Sequence, residues 1–211
     1  CSSDLNRSFT SPHLVRFNER IALDGEPVSD ERLYTVWQDI KPILEFVDSE
    51  LLAAGDTRLT FFEALAVLGF AIFADAPVDV LVLEVGMGGT WDSTNVADGD
   101  VAVFTPIAID HVDRLGSTVV EIAETKSGII KPDAMVISSS QPADAQLVLR
   151  AKSEQIASAW AQFGSEFGVI SAEVEGFGQR FSVRGRIAHQ SKSLVRVWHV
   201  DDPTGFARAL L

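Results

Sequence analysis

The stretch Val78-Asp79-Val80-Leu81-Val82-Leu83-Glu84-Val85-Gly86-Met87-Gly88-Gly89 decides the fold of this chain. Its first half is a continuous run of aliphatic residues, and its second half is a glycine-rich turn. A strand whose apolar residues do not alternate with polar ones is typical of a parallel sheet that is covered on both faces. Residues 101–105 and 134–138 form runs of the same kind. We therefore predict a mostly parallel, buried sheet of the α/β class.

Helical patterns lie between and around these runs. Predicted helices cover residues 30–53, 60–74, 117–130 and 143–160. Thr60 and Glu63 have the spacing of a capping box, in which two side chains satisfy backbone groups at a helix start. Pro42 predicts a kink or a break within the first helix. After Glu166 the pattern changes to short β-like runs over residues 168–174, 181–183 and 194–200, which predict a β-rich C-terminal tail.

The composition is that of a globular protein. Of 211 residues, 46% are apolar and 22% are charged, which excludes disordered and collagen-like chains. The formal net charge of −13 repels nucleic acid and anionic lipid, and the apolar run at residues 64–74 is too short to span a membrane. We expect no nucleic-acid partner and no membrane partner. The single cysteine, Cys1, fits a reducing, cytoplasmic location.

Polar residues that follow the predicted strands are candidates for chemistry, because ligands of open α/β sheets bind beyond the carboxyl ends of the strands. Glu84 ends one strand, where its carboxylate either holds magnesium or is simply solvated. His111, between Asp110 and Asp113, is a metal ligand, a general base or a helix-capping residue. Lys126 lies on the next helix, where an ordinary solvated lysine is the alternative. The sequence contains no G-x-x-x-x-G-K-[ST] phosphate loop.

Eight segments occur in an order that resembles a known family. They are Thr10-Ser11-Pro12-His13-Leu14, Phe17-Asn18-Glu19-Arg20-Ile21, Phe62-Glu63, Leu83-Glu84-Val85-Gly86-Met87-Gly88-Gly89, Asp92-x-Thr94-Asn95, Thr105-Pro106-Ile107-x-Ile109-Asp110-His111, Leu115-Gly116 and Lys126-x-Gly128-Ile129. The series resembles the bifunctional folylpolyglutamate synthase/dihydrofolate synthase family of the Mur ligase superfamily. The resemblance implies an incomplete Mur-ligase-type central ATPase domain, a mostly parallel sheet flanked by helices, over residues 10–186. Residues 1–9 and 187–211 are then a divergent N-terminal segment and a divergent tail.

The resemblance also implies an ATP-dependent amide ligation. ATP phosphorylates the carboxylate of dihydropteroate or of a folate, and the amino group of L-glutamate attacks the acyl phosphate. Mg²⁺ and ATP are therefore the expected cofactor and cosubstrate, and the expected partners are small molecules. By resemblance the magnesium ligands are Glu84, His111 and Lys126, the lysine as a carbamate, and His111 and Lys126 have catalytic roles. The residues implied at the pterin or folate are Ser11, Pro12, His13, Gly88, Gly89, Asp92 and Asn95.

The sequence departs from the family at several points. Members carry a phosphate loop ahead of the Ser-Pro-His segment, whereas residues 1–9 do not resemble the expected strand. Thr90 stands where the family usually has arginine, and the resemblance fades after Arg186, before any glutamate-binding domain. We therefore expect a fragment, bounded by coding breaks, whose inherited ligase activity is lost or impaired. The alternatives are a non-catalytic folate-binding module, a remnant without function, and another Mur-type amino-acid ligase of the kind that builds cell walls.

Overall fold

The computed structural model describes residues 6–75, 78–175, 178–185 and 194–200. The chain divides into two compact units. The first unit comprises residues 1–87 and 92–96, and the second comprises residues 88–91 and 97–211. None of the helices in the described part of the chain is long and apolar enough to cross a membrane.

The first unit is a four-stranded sheet with two long helices. Its elements are β1 (Asn6–Phe9), β2 (Ile21–Leu23), β3 (Glu26–Pro27), α1 (Asp30–Ala53), α2 (Phe61–Ala74) and β4 (Val80–Leu83). The strand order is β3-β2-β1-β4, in which β1 is parallel to β4 and antiparallel to β2. Phe9 at the end of β1 lies opposite both Ile21 and Leu83. Its side chain is buried in the core that the two helices form with the sheet.

Strand β1 corrects the prediction that residues 1–9 contain no strand. Asn6–Phe9 forms the centre of the sheet, because Phe9 supplies a large apolar side chain and Arg7 finds an ion pair. The Arg7 guanidinium is 5% exposed and lies 2.7 Å from Asp24 Oδ1. A short run with three polar residues gave no strand signal, since the pairing depends on residues that are distant in sequence.

The two helices of the first unit begin as predicted. The Ser29 side chain accepts the N–H of Arg32 at the start of α1, and Thr60 forms the expected capping box with Glu63 at the start of α2. Pro42 lies inside α1, which continues through it without a break. Of the two predicted alternatives, a kink or a break, the break is therefore wrong. Helix α1 packs against α2. Because α1 is long on both sides of Pro42, this packing can keep the chain helical through the proline.

The second unit contains a three-stranded parallel sheet and a separate antiparallel sheet. Its elements are β5 (Val101–Phe104), α3 (Val112–Leu115), α4 (Val119–Lys126), β6 (Met135–Ser138), α5 (Ala143–Gln155), β7 (Ala159–Gln162), β8 (Phe167–Glu175), β9 (Gly178–Gly185) and β10 (Leu194–Val200). The parallel order is β5-β6-β7, and the antiparallel order is β10-β9-β8. The β-rich C-terminal part is confirmed. Of the predicted tail, residues 187–193 and 201–211 lie outside the described residues.

Helix α5 is shorter than predicted. It ends at Gln155, and Trp160, expected at the end of the helix, lies in strand β7 instead. Ala157 has φ +58°, a left-handed conformation that reverses the chain, and the Ser153 hydroxyl donates to the carbonyl oxygen of Ser158 across this turn. Helix α4 ends at Lys126 and is followed by a 3-10 turn, Ser127–Ile129.

The strands are covered on one face rather than on both. In β4 of the first unit, Val80 and Val82 are exposed, whereas Leu81 packs against the helical core. In β5 of the second unit, Val101 and Val103 are exposed, whereas Ala102 and Phe104 are buried. Continuous apolar runs predicted coverage of both faces. That prediction is wrong for these strands, because alternate side chains are exposed in both, and the others are half-buried in β4 and buried in β5.

Candidate active site

The carboxyl ends of β1 and β4 bring two of the predicted site residues together. The N–H of Glu84 donates to the carbonyl oxygen of Phe9 at 2.8 Å and extends the parallel pairing by one step. Beyond it, the N–H of Ser11 donates to Glu84 Oε2 at 2.6 Å. The Ser11–Pro12 peptide is cis. The Ser11-Pro12-His13 segment therefore starts against an exposed carboxylate at the carboxyl end of a strand, where open α/β sheets bind their ligands.

Glu19 organises the loop that follows His13. Its carboxylate accepts the N–H groups of Leu14, Val15 and Arg16 at 2.7, 3.1 and 2.7 Å. These hydrogen bonds, with that of Leu14 as the largest cause, hold the pKa of Glu19 below its ordinary value because they stabilise the charged form. The side chains of Leu14 and Val15 are left exposed at the tip of the loop.

His13 itself is fixed by its neighbours. Arg20 Nε donates to His13 Nδ1 at 2.8 Å. The edge of the His13 ring meets Phe17, with a centroid separation of 6.2 Å. The imidazole is half-buried and has one defined orientation.

Asp92 holds the loop that follows the glycine-rich turn of the first unit. Its carboxylate accepts the N–H of Met87 at 2.9 Å, the N–H of Thr94 at 2.9 Å and the Thr94 hydroxyl at 2.6 Å. Its carbonyl oxygen accepts the N–H of Asn95 at 2.9 Å. Asp92 is buried, so its carboxylate shapes the loop from within, and Asn95 is placed one turn beyond it.

Gly88 and Gly89 pack against the end of α4 in the second unit. A Cβ added to Gly89 would lie 2.7 Å from the carbonyl oxygen of Lys126 and 2.8 Å from that of Thr125. The next residue, Thr90, donates both its N–H and its hydroxyl to the Thr125 carbonyl oxygen at 3.0 Å. Only glycine allows this approach of two backbones. The two glycines are thus brought beside Lys126, with Gly88 at φ +73°.

His111 and Lys126 both lie in the second unit. His111 caps α3 in a left-handed conformation, φ +49°, and its N–H donates to Asp110 Oδ1 at 2.7 Å. Its imidazole is 51% exposed, with Nε2 3.6 Å from Asp110 Oδ2. Lys126 is the last residue of α4 and is half-buried. Among the described residues, no carboxylate lies within ion-pair distance of its ammonium group.

The donors suit magnesium chemically. Glu84 Oε2 is engaged with Ser11, and the other oxygen of this exposed carboxylate is available for a ligand. A carboxylate, and a carbamate on Lys126, are oxygen donors of the type that Mg²⁺ prefers, and an imidazole nitrogen can complete such a set. Glu84 belongs to the first unit, and His111 and Lys126 belong to the second. Within either unit, the described residues contain no group of three or more His, Cys, Asp or Glu side chains that could hold a metal ion.

Three contributors to this site carried no functional signal in the sequence. Glu19 and Arg20 lay in a recognised segment, but nothing in the sequence distinguished them from surface charges. Gly128 is required because a Cβ there would overlap the Thr90 side chain. The Lys126-x-Gly128 spacing was the available clue, since a glycine at a helix end often marks a close approach.

Comparison with known proteins gives a consistent result. Residues 33–194 match the model of the Mur ligase middle domain. The chain is 41% identical, over 83% of its length, to the dihydrofolate synthase/folylpolyglutamate synthase of Mycobacterium tuberculosis and covers 38% of that protein. It is 40% identical, over 89% of its length, to the folylpolyglutamate synthase of Lacticaseibacillus casei and covers 44% of it. A solved complex of folylpolyglutamate synthase with AMPPCP and folate superimposes with a TM-score of 0.78 at 38% identity, covering 86% of this chain and 44% of the other.

The chain thus spans less than half the length of these curated relatives. The fold agrees with theirs where the two overlap, as a sheet with parallel strands flanked by helices. The family model covers more than half of the chain, and the relatives are named for the synthesis of folylpolyglutamate and dihydrofolate. The chain therefore belongs to the Mur ligase middle-domain family.

Proposed function

We propose that this chain carries the central part of an ATP-dependent ligase that joins L-glutamate to dihydropteroate or to a folate. The observation that carries the proposal is the hydrogen bond from the Ser11 N–H to Glu84, which sets the Ser-Pro-His loop against a strand-end carboxylate. The relatives' names support the reaction, and the solved complex with AMPPCP and folate supports both kinds of ligand for that relative.

The reaction needs a carboxylate that has been activated and an amine that is positioned to attack it. The carboxylate of the pterin substrate takes the terminal phosphoryl group of ATP, and the amine of L-glutamate then displaces phosphate to form the amide. Charge on the phosphoryl oxygens must be neutralised throughout. Glu84, His111 and Lys126 would hold Mg²⁺, which supplies this neutralisation when bound.

Lys126 would contribute as a carbamate. Its ammonium group would first lose a proton to water. The neutral amine would then add to CO₂, forming an N–C bond as one C–O π bond opens, and would lose a second proton, which leaves an oxygen-donating anion in place of a cation. The half-buried position at the end of α4 and the lack of an ion-paired carboxylate among the described residues are compatible with this change. The tight contact of Gly89 with the Lys126 carbonyl would fix the backbone from which the carbamate extends.

The remaining predicted residues would bind the pterin substrate. Ser11, Pro12 and His13 supply a loop whose polar groups are already oriented by Glu84 and Arg20. Asp92 would act by holding the shape of its loop, because its carboxylate is occupied, and Asn95 would present its amide from that loop. Gly88 and Gly89 would act by allowing the ligand to approach their backbone closely, because they have no side chain.

Isothermal titration of the 211-residue chain with folate and with Mg–ATP tests the proposal. We expect saturable folate binding, and we expect any ATP binding to be weak, dependent on magnesium and abolished by Glu84→Gln. Glu50→Gln is the matched control, because Glu50 is an exposed acid on α1. Loss of magnesium dependence in both variants, or in neither, would contradict the role of Glu84. Folate binding without any ATP binding would favour a non-catalytic folate-binding module.

A further inference from the structure

Arg20 is a cation that has no acidic partner among the described residues, although the protein is acidic. The chain has a net charge of −13, and in the same unit Arg7 pairs with Asp24 while Arg16 pairs with Asp30. No carboxylate of the described residues lies within ion-pair distance of Arg20. Its charge is therefore available to a ligand.

The neighbouring acid does not neutralise Arg20. The Glu19 carboxylate is engaged by three backbone N–H groups of the loop, and these hold it in the charged form. The guanidinium instead stacks on Phe61, 5.6 Å from the ring centroid, and donates its Nε–H to His13. Two anchors thus fix a cation that would otherwise be a flexible surface side chain. Its terminal N–H groups have no hydrogen-bond partner in the part of the chain that the structure describes.

The contact with Arg20 also determines which nitrogen of His13 can donate. A guanidinium has only donors, so His13 Nδ1 must accept, and the neutral ring carries its proton on Nε2. No described residue accepts a hydrogen bond from this Nε2. Phe17 locks the arrangement, because it meets the edge of His13 at 6.2 Å and that of Phe61 at 6.0 Å between centroids.

We propose that Arg20 and His13 form a binding site for an oxyanion, either a carboxylate or a phosphoryl oxygen. The two side chains offer a fixed positive charge and an oriented N–H donor, a combination that suits a charged oxygen. The loop that bears His13 begins at the Ser11–Glu84 hydrogen bond. The identity of the ligand rests on the proposed function: the carboxylate of a folate or a phosphate of ATP. The existence of the anion site does not depend on it.

The first measurement follows the arginine Nε–H signals of the 211-residue chain by ¹H–¹⁵N NMR. Arg20→Lys identifies the Arg20 signal by its disappearance. Inorganic phosphate is the general probe, and folate and Mg–ATP are the two specific ones. We expect the Arg20 signal to shift saturably with phosphate and with one of the two specific ligands, whereas sodium chloride at equal ionic strength leaves it unchanged. The specific ligand that moves it identifies the source of the oxyanion.

The second measurement compares affinities. Arg20→Met should weaken binding of the responding ligand about tenfold or more, as expected for the loss of charged hydrogen bonds. Arg58→Met removes the same charge from an exposed arginine and should leave the affinity unchanged. Arg20→Lys keeps the charge without the Nε–H and should fall between the two. Thermal melts show whether each variant is folded, and the Lys variant provides the test if the Met variant is not.

The outcomes separate this site from the proposed function. A shift with phosphate, but with neither folate nor ATP, keeps the anion site and contradicts the proposed substrates. Folate binding with an unchanged Arg20 signal and an unchanged affinity in Arg20→Met overturns the site and leaves the proposed function standing. A signal that no anion moves overturns the site as well.

Discussion

Single carboxylates that accept backbone N–H groups shape both loops of the first unit. Glu19 does so for residues 14–16 and Asp92 for the turn between Met87 and Thr94. A buried or engaged carboxylate of this kind is costly to replace, because the donors that it satisfies are left without partners. The two loops therefore depend on carboxylates that accept backbone N–H groups.

Asp92→Asn tests this dependence. The change puts an amide NH₂ where an oxygen now accepts the Met87 N–H or the Thr94 groups, so at least one donor loses its acceptor. We expect a loss of about 1–3 kcal/mol in the free energy of unfolding, measured by urea denaturation followed by circular dichroism. Asp98→Asn, whose carboxylate is 97% exposed, is the control and should change the stability little. Equal effects of the two changes would show that the Asp92 hydrogen bonds contribute nothing specific.

Gly89→Ala tests the close approach beside Lys126. The new Cβ would meet two carbonyl oxygens at 2.7 and 2.8 Å, and neither can move without shifting α4. We expect destabilisation of about 1–3 kcal/mol, in the range of overpacked sites. Gly99→Ala is the matched control, because its nearest contact would be at 3.7 Å. If Gly89→Ala were as stable as Gly99→Ala, the backbone near residue 89 would have to shift enough to accommodate the new Cβ at little cost.

Sequence patterns named candidate site residues without showing how they are held. The hydrogen bond of 2.6 Å between the Ser11 N–H and Glu84 joins a residue predicted at the substrate to one predicted at the metal, a contact that the sequence did not indicate. The internal role of Asp92 could not be predicted either, nor could the lack of a carboxylate partner for Arg20 among the described residues, because each depends on which side chains fold back onto the same loop. A motif shows which residues occur together in sequence, and only the fold shows which atoms already have a hydrogen-bond or ion-pair partner.

At the scale of elements, helix starts were the most predictable feature. The capping box predicted at Thr60 is a local arrangement of four residues, so short-range chemistry suffices to define it. The structure adds a second box at Thr118, which was not predicted. Strand β1 was missed because it is held by distant partners, and the end of α5 was missed because the reversal depends on a left-handed Ala157. The burial of the strands was overestimated because an apolar run cannot show which of its faces a helix covers.

Phe9→Ala tests whether β1 is a structural part of the first unit. Phe9 is 1% exposed, meets Phe62 edge-on at 5.8 Å and lies in the helical core. Its loss should cost about 3–5 kcal/mol, as for other large aromatic truncations in cores. Phe46→Ala, which removes an aromatic ring that is 64% exposed, should cost far less. A small effect at Phe9 would mean that the N-terminal strand is dispensable.

Glu121 predicts a pH dependence of the second unit. Hydrogen bonds from Thr118, and then from Ser117, hold its pKa below the ordinary value at the start of α4. A carboxyl group with a lowered folded-state pKa stabilises the protein above its unfolded pKa, and this stabilisation is lost as the pH falls through the folded value. Glu121→Gln should therefore destabilise the protein at pH 7 and have almost no effect at a pH below both values.

The control for Glu121 lies on the same helix. Glu124→Gln removes an exposed acid of α4 that takes no part in the cap, so its effect should be small at both pH values. Urea denaturation of the three proteins over a series of pH values from 7 downwards gives the comparison. A destabilisation by Glu121→Gln that does not diminish as the pH falls would mean that the carboxylate charge is not the cause.

At the scale of the whole molecule, the residues proposed to bind substrates and metal are distributed over the two units. Ser11, His13, Glu84, Asp92 and Asn95 belong to the first unit, and Gly88, Gly89, His111 and Lys126 belong to the second. Substitutions should therefore affect ligand binding and the ligation rate differently. Substitutions at Arg20 or His13 affect one loop of the first unit, whereas ligation requires every group that stabilises charge on the phosphoryl oxygens.

The 211-residue polypeptide, tested by itself, is expected to show no measurable ATP-dependent ligation of glutamate to dihydropteroate or folate. It contains no G-x-x-x-x-G-K-[ST] loop, and it spans less than half the length of the relatives named for this reaction. The loss of one donor that stabilises transition-state charge costs about a hundredfold or more in rate. Several such groups are carried by a phosphate loop, so a low residual rate is the most that the polypeptide could show. Incorporation of radiolabelled glutamate into folate measures it, with the Lacticaseibacillus casei enzyme as the positive control. ATP-dependent turnover that Glu84→Gln abolishes would contradict the prediction, and it would mean that phosphate is held here by groups other than such a loop.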